Sequence, residues 1–195
     1  PDVLTRELVC DTSAGFVKRD LTKNTSWQQA RFECCHHKWC DLSETDGGVA
    51  ILNDGKYGVG FLENQISLSL LRSPIRPDVT ADMGHHSFCY RIVPHAGDPV
   101  QAGINRRALQ FNQPPIKSDV AYNGTDFVPL YLQAMKFSED GKRIVVRLSE
   151  QDGRRGTLRL PRKVQVLNML EDVERETDSV DYTPFEILTL GWPVE

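Results

Sequence analysis

The sequence predicts an all-β protein, a β-sandwich assembled from two β-modules. Three observations lead there. Short stretches alternate apolar and polar residues with the two-residue period of a half-buried strand. Turn-forming clusters punctuate them: Asn53-Asp54-Gly55, Asp98-Pro99, Glu139-Asp140-Gly141 and Gln151-Asp152-Gly153. Helical periodicity is scarce, and many strands between turns favour packed sheets over helical layers.

In chain order, GGVAILND (47–54) is a short apolar run opened by two glycines and closed by a turn. NQISLSLLRSP (64–74) alternates, with Ile66, Leu68 and Leu70 on one face and Ser67 and Ser69 on the other. HHSFCYRIVPH (85–95) places Phe88, Tyr90 and Ile92 in phase. VQAGINRRALQFN (100–112) is a short helix or an extended arm. Residues 112–127, NQPPIKSDVAYNGTDF, lack apolar pattern, abound in turn formers and read as a linker. Strands resume near Val128 with KRIVVRLSE (142–150), GTLRLP (156–161), KVQVLNML (163–170) and PFEILTL (184–190). There is no internal repeat and no low-complexity tract.

Composition narrows the function classes. With 195 residues and 39% hydrophobic content, each module can bury a core. The net charge of −4, without a basic run, disfavours a nucleic-acid partner, which needs cations to displace counterions. No apolar run reaches bilayer length, so no membrane partner is expected. Five cysteines, an odd count with two adjacent, suit a reducing, intracellular (cytoplasmic) setting better than a disulfide scaffold. Pro1 reads as the start of a fragment.

Two clusters invite a chemical reading. FECCHHKWCD (32–41) holds three cysteines and two histidines. As one strand it would put Phe32, Cys34, His36, Lys38 and Cys40 on one face and Glu33, Cys35, His37 and Trp39 on the other. Neither face supplies four metal ligands, and neighbours on a strand diverge too far for a Cys–His nucleophile pair. The expectation is a strand with cysteine as a small hydrophobe and no metal. DVTADMGHHSF (78–88) gathers Asp78, Asp82, His85 and His86, residue types that bind divalent metals but also build polar loops.

NTSWQQARFE, HKWCDLSE, VAILNDGKYG, LSLLRSPIRPD and ADMGHHSFCYRIVPHAGD follow one another in an order that resembles the C-terminal β-region of glycoside hydrolase family 38 α-mannosidases, in the branch of cytosolic, vacuolar and bacterial members. QAGINRRALQFNQPP resembles the arm that follows, and LQAMKFSEDGKRIVVRLSEQDGRRG with TPFEILTL resembles the terminal small β-sandwich. Two departures stand out: cysteine at 34, 35 and 40 where small strand formers are usual, and Gly58-Val59 where Gly-Tyr is usual.

The resemblance implies that residues 1–111 form the later part of a galactose-mutarotase-like super-sandwich, 112–127 a linker, and 128–195 a small terminal sandwich. It implies retaining hydrolysis of terminal α-mannosides by the whole enzyme. Zinc and an aspartate nucleophile would lie in an N-terminal α/β domain followed by a helical domain, so none of the catalytic residues falls here and this stretch alone is inactive. Retention needs two carboxyl groups about 5 Å apart, and the acidic residues here sit in turns. The implied partners are those N-terminal domains of the same enzyme and an α-mannoside or oligosaccharide. An unpaired sheet edge near residues 1–30 would favour self-association into a homo-oligomer.

The implied contribution is to the rim of the active site. The candidates are Asn53, Asp54, Lys56 and Tyr57 in NDGKYG, and Arg72 at the end of SLSLLR. The loop reads equally as a hairpin turn, and Arg72 as a surface charge. A second reading is a stand-alone carbohydrate-binding or structural sandwich module. It requires exposed aromatic platforms, for which Trp27, Trp39 and Trp192 are the tryptophans available.

Overall fold

The computed structural model describes residues 7–62, 65–113, 117 and 127–194. Most of the expected linker, and the first six residues of the expected N-terminal edge, lie outside them. The chain divides into two compact units, Pro1–Ile116 and Lys117–Glu195. Among the described residues the fold is all-β, with two short helices.

The first unit contains β1 (Glu7–Thr12), β2 (Gly15–Asp20), α1 (Ser26–Ala30), β3 (Glu33–Cys35), β4 (Trp39–Ser43), β5 (Gly47–Asn53), β6 (Gly58–Leu62), β7 (Gln65–Ser69), β8 (Tyr90–Ala96) and α2 (Ile104–Asn112). An antiparallel five-stranded sheet has the order β2-β1-β4-β5-β8, and a three-stranded sheet the order β3-β6-β7. One face of the larger sheet packs Leu8, Cys10, Cys40 and Leu42 against Val59, Cys34, Phe61 and Ile66 of the smaller. Its other face packs Val9, Trp39, Ala50, Leu52 and Val93 against Ile104, Ala108 and Phe111 of α2. The central strands are thus covered on both sides. This is why they read as apolar runs, as in GGVAIL, instead of clean alternation.

Three expectations change. The stretch 32–41 is not one strand: β3 belongs to the small sheet and β4 to the large one. The chain crosses between them at 36–38, where Oδ1 of Asp11 accepts the amides of His37, Lys38 and Trp39 at 2.9, 2.8 and 2.9 Å. Those amides have no ladder partner, so a buried carboxylate satisfies them instead. The NDGKYG loop is likewise no hairpin, because β5 and β6 lie in different sheets. In β8 the apolar phase points outward: Tyr90 and Ile92 are exposed while Val93 enters the core. As the last strand of the sheet, β8 carries that face beyond the cover of the smaller sheet.

Residues 104–112 take the helical option, presenting Ile104 and Ala108 one turn apart to the sheet. The short α1 is set by a capping box in which Thr25 and Gln28 satisfy each other's backbone amides.

The second unit is an antiparallel sheet in the order β12-β11-β13-β10-β9. Its strands are β9 (Tyr131–Phe137), β10 (Arg143–Ser149), β11 (Gly156–Leu167), β12 (Val173–Tyr182) and β13 (Ile187–Pro193). Register breaks between Arg159 and Val164 on β11. Leu158 before the break, Leu160 within it and Val164 and Val166 after it enter one core with Val146, Leu148, Leu188 and Leu190. The sheet folds over that core as a small sandwich. Among the described residues no helix is long and apolar enough to cross a membrane.

Candidate functional site

The loop after β5 is built from beneath by Asn53. Its Oδ1 accepts the amides of Gly55 (2.9 Å) and Lys56 (2.5 Å), and its Nδ2 donates to the His37 carbonyl (3.0 Å) and to Nε2 of His36 (2.8 Å). Asn112 of α2 donates to the Asn53 carbonyl at 3.0 Å, and the His36 amide to the Tyr57 carbonyl at 2.9 Å. Gly55 sits at φ +136°, a conformation open to glycine at little cost. Asn53 itself has no exposed surface, so it shapes the loop and does not present its amide to solvent.

The loop's other side chains face outward. Tyr57 is 57% exposed, and its ring meets His37 edge-on at 5.8 Å. Lys56 Nζ lies 5.0 Å over the Phe88 ring, and Asp54 Oδ2 accepts the Cys89 amide at 2.8 Å. These contacts fix how the segment before β8 meets the loop.

Arg72 reaches the same place from the segment after β7. Its guanidinium pairs with Glu33 of β3, which also accepts from the Ser69 hydroxyl. Asp82 Oδ2 receives the amides of Arg72 (3.2 Å) and Ser73 (2.8 Å), and these hold its carboxyl below the ordinary range. His86 Nε2 contacts the Asp82 carbonyl at 2.8 Å. Lys56, Tyr57, Arg72, Glu33, Asp82 and His86 line one open depression of about 310 Å³. Across Tyr57, a second one of about 270 Å³ is lined by His37, Lys38, Asp54 and Asn112.

The structure therefore brings Asp54, Lys56, Tyr57 and Arg72 together around two adjoining depressions, with Asn53 below them. Glu33, His37, Lys38 and Asn112 complete the surroundings. Glu33 carried no signal, because only the crossover to β3 brings it opposite Arg72. The surface offers cations and hydroxyl or amide partners beside an open aromatic face, a combination that suits a polyhydroxylated ligand. Glu33 and Asp82 are both engaged as acceptors, so neither has the setting of a catalytic acid held neutral.

Other clusters resolve into structure. Asp78 caps its own turn through the Thr80 amide and hydroxyl. Asp41 and His95 form a buried pair, Oδ2 to Nε2 2.6 Å, with Ser43 on the other carboxylate oxygen. Burial pushes the Asp41 carboxyl up, while Ser43 and His95 oppose that rise. Among the described residues no three His, Cys, Asp or Glu side chains are placed to hold a metal ion. Trp39 is in the core and Trp192 packs on Phe127 at 6.2 Å, which leaves only Trp27, 80% exposed, as an open tryptophan. A stand-alone sugar-binding platform of paired tryptophans is not formed.

Residues 1–80 match the profile described as "Glycosyl hydrolases family 38 C-terminal domain", and residues 129–190 that described as "Glycosyl hydrolases family 38 C-terminal beta sandwich domain". The chain belongs to glycoside hydrolase family 38, as part of its C-terminal β-region. "Alpha-mannosidase G" of Dictyostelium discoideum is 36% identical over 201 residues, covering 90% of this chain and 18% of that protein. "Alpha-mannosidase" of Saccharomyces cerevisiae is 43% identical over 123 residues, covering 62% of this chain and 11% of its own length. "Alpha-mannosidase 2C1" of Mus musculus is 49% identical over 100 residues, covering 51% and 10% respectively. The chain thus spans less than a fifth of these relatives. The crystal structure of an α-mannosidase from Enterococcus faecalis V583 shares the fold, with a TM-score of 0.76 over 97% of this chain and 24% of that one at 18% identity.

Proposed function

We propose that this chain is the C-terminal β-portion of a retaining α-mannosidase and that it shapes the rim of an active site supplied by upstream domains of the same enzyme. Residues 1–111 serve as the later part of the large super-sandwich, 112–127 as a linker, and 128–195 as the small terminal sandwich. The observation that carries the reading is the convergence of Lys56, Tyr57 and Arg72 on one open depression. The Tyr57 ring packs on a sugar face, while Lys56 and Arg72 donate hydrogen bonds to hydroxyls. Asp54 and Asn53 hold the loop that presents them.

Zinc, implied for the whole enzyme by family resemblance, belongs in this reading to the upstream domain. The described residues here do not offer a donor set that fits it. An intracellular location is part of the same proposal, supported by five free thiols. So is docking on the upstream domains. Where those are missing, exposed strand edges favour association of copies.

The test is turnover of p-nitrophenyl α-mannoside in the presence of zinc. The chain alone should give none, and the same chain joined to its upstream domains should give a clear rate. Measurable hydrolysis by the pure chain overturns the assignment of the chemistry to other domains.

A further inference from the structure

Cys10 and Cys34 face each other across the seam between the two sheets of the first unit, with their Sγ atoms 4.0 Å apart. Cys10 stands on β1 of the five-stranded sheet and Cys34 on β3 of the three-stranded sheet, so no backbone ladder joins them. The two thiols differ in access. Cys10 has no exposed surface, whereas Cys34 lines a cavity of about 460 Å³ that opens to solvent. Lys18, Arg19, Lys23 and Arg31 line the same cavity against Asp20 and Glu33, which gives it a cationic excess. Nε of Arg19 is buried without a hydrogen-bond partner.

We propose that Cys34 is a redox-active thiol that reacts with a small anionic disulfide of the glutathione class in this cavity and then closes an inter-sheet disulfide with Cys10. In the first step the Cys34 thiolate attacks one sulfur of the incoming disulfide. A mixed disulfide forms, and one glutathione leaves as its thiolate and takes up a proton. In the second step the Cys10 sulfur gives up its proton and attacks Sγ of Cys34, and the second glutathione leaves. Two protein thiols are oxidised to one disulfide while one glutathione disulfide is reduced to two thiols.

The electrostatics favour this order. The hydrogen bond from Cys10 holds the Cys34 thiol down to about 7, with help from Arg19 and against burial and Glu33. The same contact, together with burial, pushes Cys10 up. The accessible thiol is thus the better nucleophile and the buried one resolves it. Sulfurs at 4.0 Å need to approach by about 2 Å to bond. Side-chain rotation supplies that more readily than sheet movement, and a disulfide joining the two packed sheets is an established way to staple a sandwich.

The test is incubation of the folded chain with glutathione disulfide, followed by thiol counting in denaturant and peptide mapping. The count should fall from five to three, with a Cys10–Cys34 bond and a raised melting temperature. Cys10→Ser, which keeps a donor for Cys34, should stop at the mixed disulfide with glutathione on Cys34, and Cys10→Ala, which loses it, should reach the same product more slowly. Cys34→Ala should lose both products, and Cys35→Ser should behave as the parent. A bond to Cys40, a Cys34–Cys35 bond, adduct confined to Cys35 or Cys89, or an unchanged count of five would each overturn the proposal.

Discussion

Nδ2 of Asn53 donates to Nε2 of His36 at 2.8 Å, and neither side chain has exposed surface. The roles in this bond are fixed by what surrounds it. Oδ1 of Asn53 is committed to the amides of Gly55 and Lys56, so the atom facing the imidazole is the amide nitrogen, a donor. His36 therefore offers a lone pair at Nε2 in its neutral form, while its Nδ1 is buried without a hydrogen-bond partner. The crossover at 36–38 and the loop at 54–57 are thereby joined through two side chains.

The first expectation concerns Asn53. Asn53→Ala removes four hydrogen bonds at once and leaves the His37 carbonyl and two loop amides without their partner. Each buried group orphaned in this way costs about 1–3 kcal/mol, so a total loss of about 3 kcal/mol is expected. Urea unfolding measures it. Tyr57→Phe, which changes only an exposed hydroxyl, should stay within about 0.5 kcal/mol of the parent.

The second concerns acid. Burial pushes His36 below its ordinary value of 6.5, against the pull of Asp11. A group whose folded value is depressed contributes stability that is complete above the unfolded value and is lost as pH falls from there toward the folded value. Stability should therefore decline as pH drops below 6.5, because the unfolded chain takes up a proton that the fold resists. Protonated His36 would also set a second donor against the Asn53 amide. His36→Asn should flatten that decline in unfolding measured between about pH 8 and about pH 5. An unchanged slope would assign the sensitivity to other groups.

How much of this was legible in the sequence depended on the range of the cause. The alternation of Ile66, Leu68 and Leu70 is local, and those residues are half-buried; of the two serines between them Ser67 is exposed, while Ser69 is half-buried with its hydroxyl on Glu33. The capping box Thr25-x-x-Gln28 is equally local, since its two partners stand three residues apart. The break between β3 and β4 was not readable, because no glycine or proline marks it. It is imposed by Asp11, more than twenty-five residues upstream, through a carboxylate that replaces a strand ladder. The outward phase of Tyr90 and Ile92 likewise depends on β8 being an edge strand, which periodicity cannot reveal. The rim candidates Asp54, Lys56, Tyr57 and Arg72 are legible through family resemblance and residue type. Their grouping with Glu33 needed the fold.

Asp11 is the third prediction. Its Oδ1 accepts three amides, and its other oxygen pairs with Lys38 at 3.1 Å. Asp11→Ala should cost at least about 3 kcal/mol, since hydrogen bonds to a charged group contribute about 1.5–3 kcal/mol each and none can be replaced by water in the core. Asp11→Asn keeps an oxygen for the amides and loses the charge, so it should cost clearly less. Equal losses in the two variants, measured by chemical unfolding, would mean that the Lys38 pair outweighs the amide cradle.

Arg72 separates stability from function. Its side chain is 70% exposed, and its pairing with Glu33 is a surface ion pair of the kind that contributes about 0–1 kcal/mol. Arg72→Ala should leave the unfolding midpoint of this chain almost unmoved. In the whole enzyme the outcome differs if the depression rims the sugar site. A guanidinium hydrogen-bonded to substrate hydroxyls contributes about 1.5–3 kcal/mol, which corresponds to a loss of about tenfold to a hundredfold in kcat/KM. Arg72→Lys keeps the charge but not the fork of donors, so it should recover part of that loss. Steady-state kinetics on an α-mannoside, run beside unfolding curves of the same variants, makes the distinction. A drop in kcat/KM with unchanged stability supports a rim contact, whereas parallel losses would assign Arg72 to holding β3 in place.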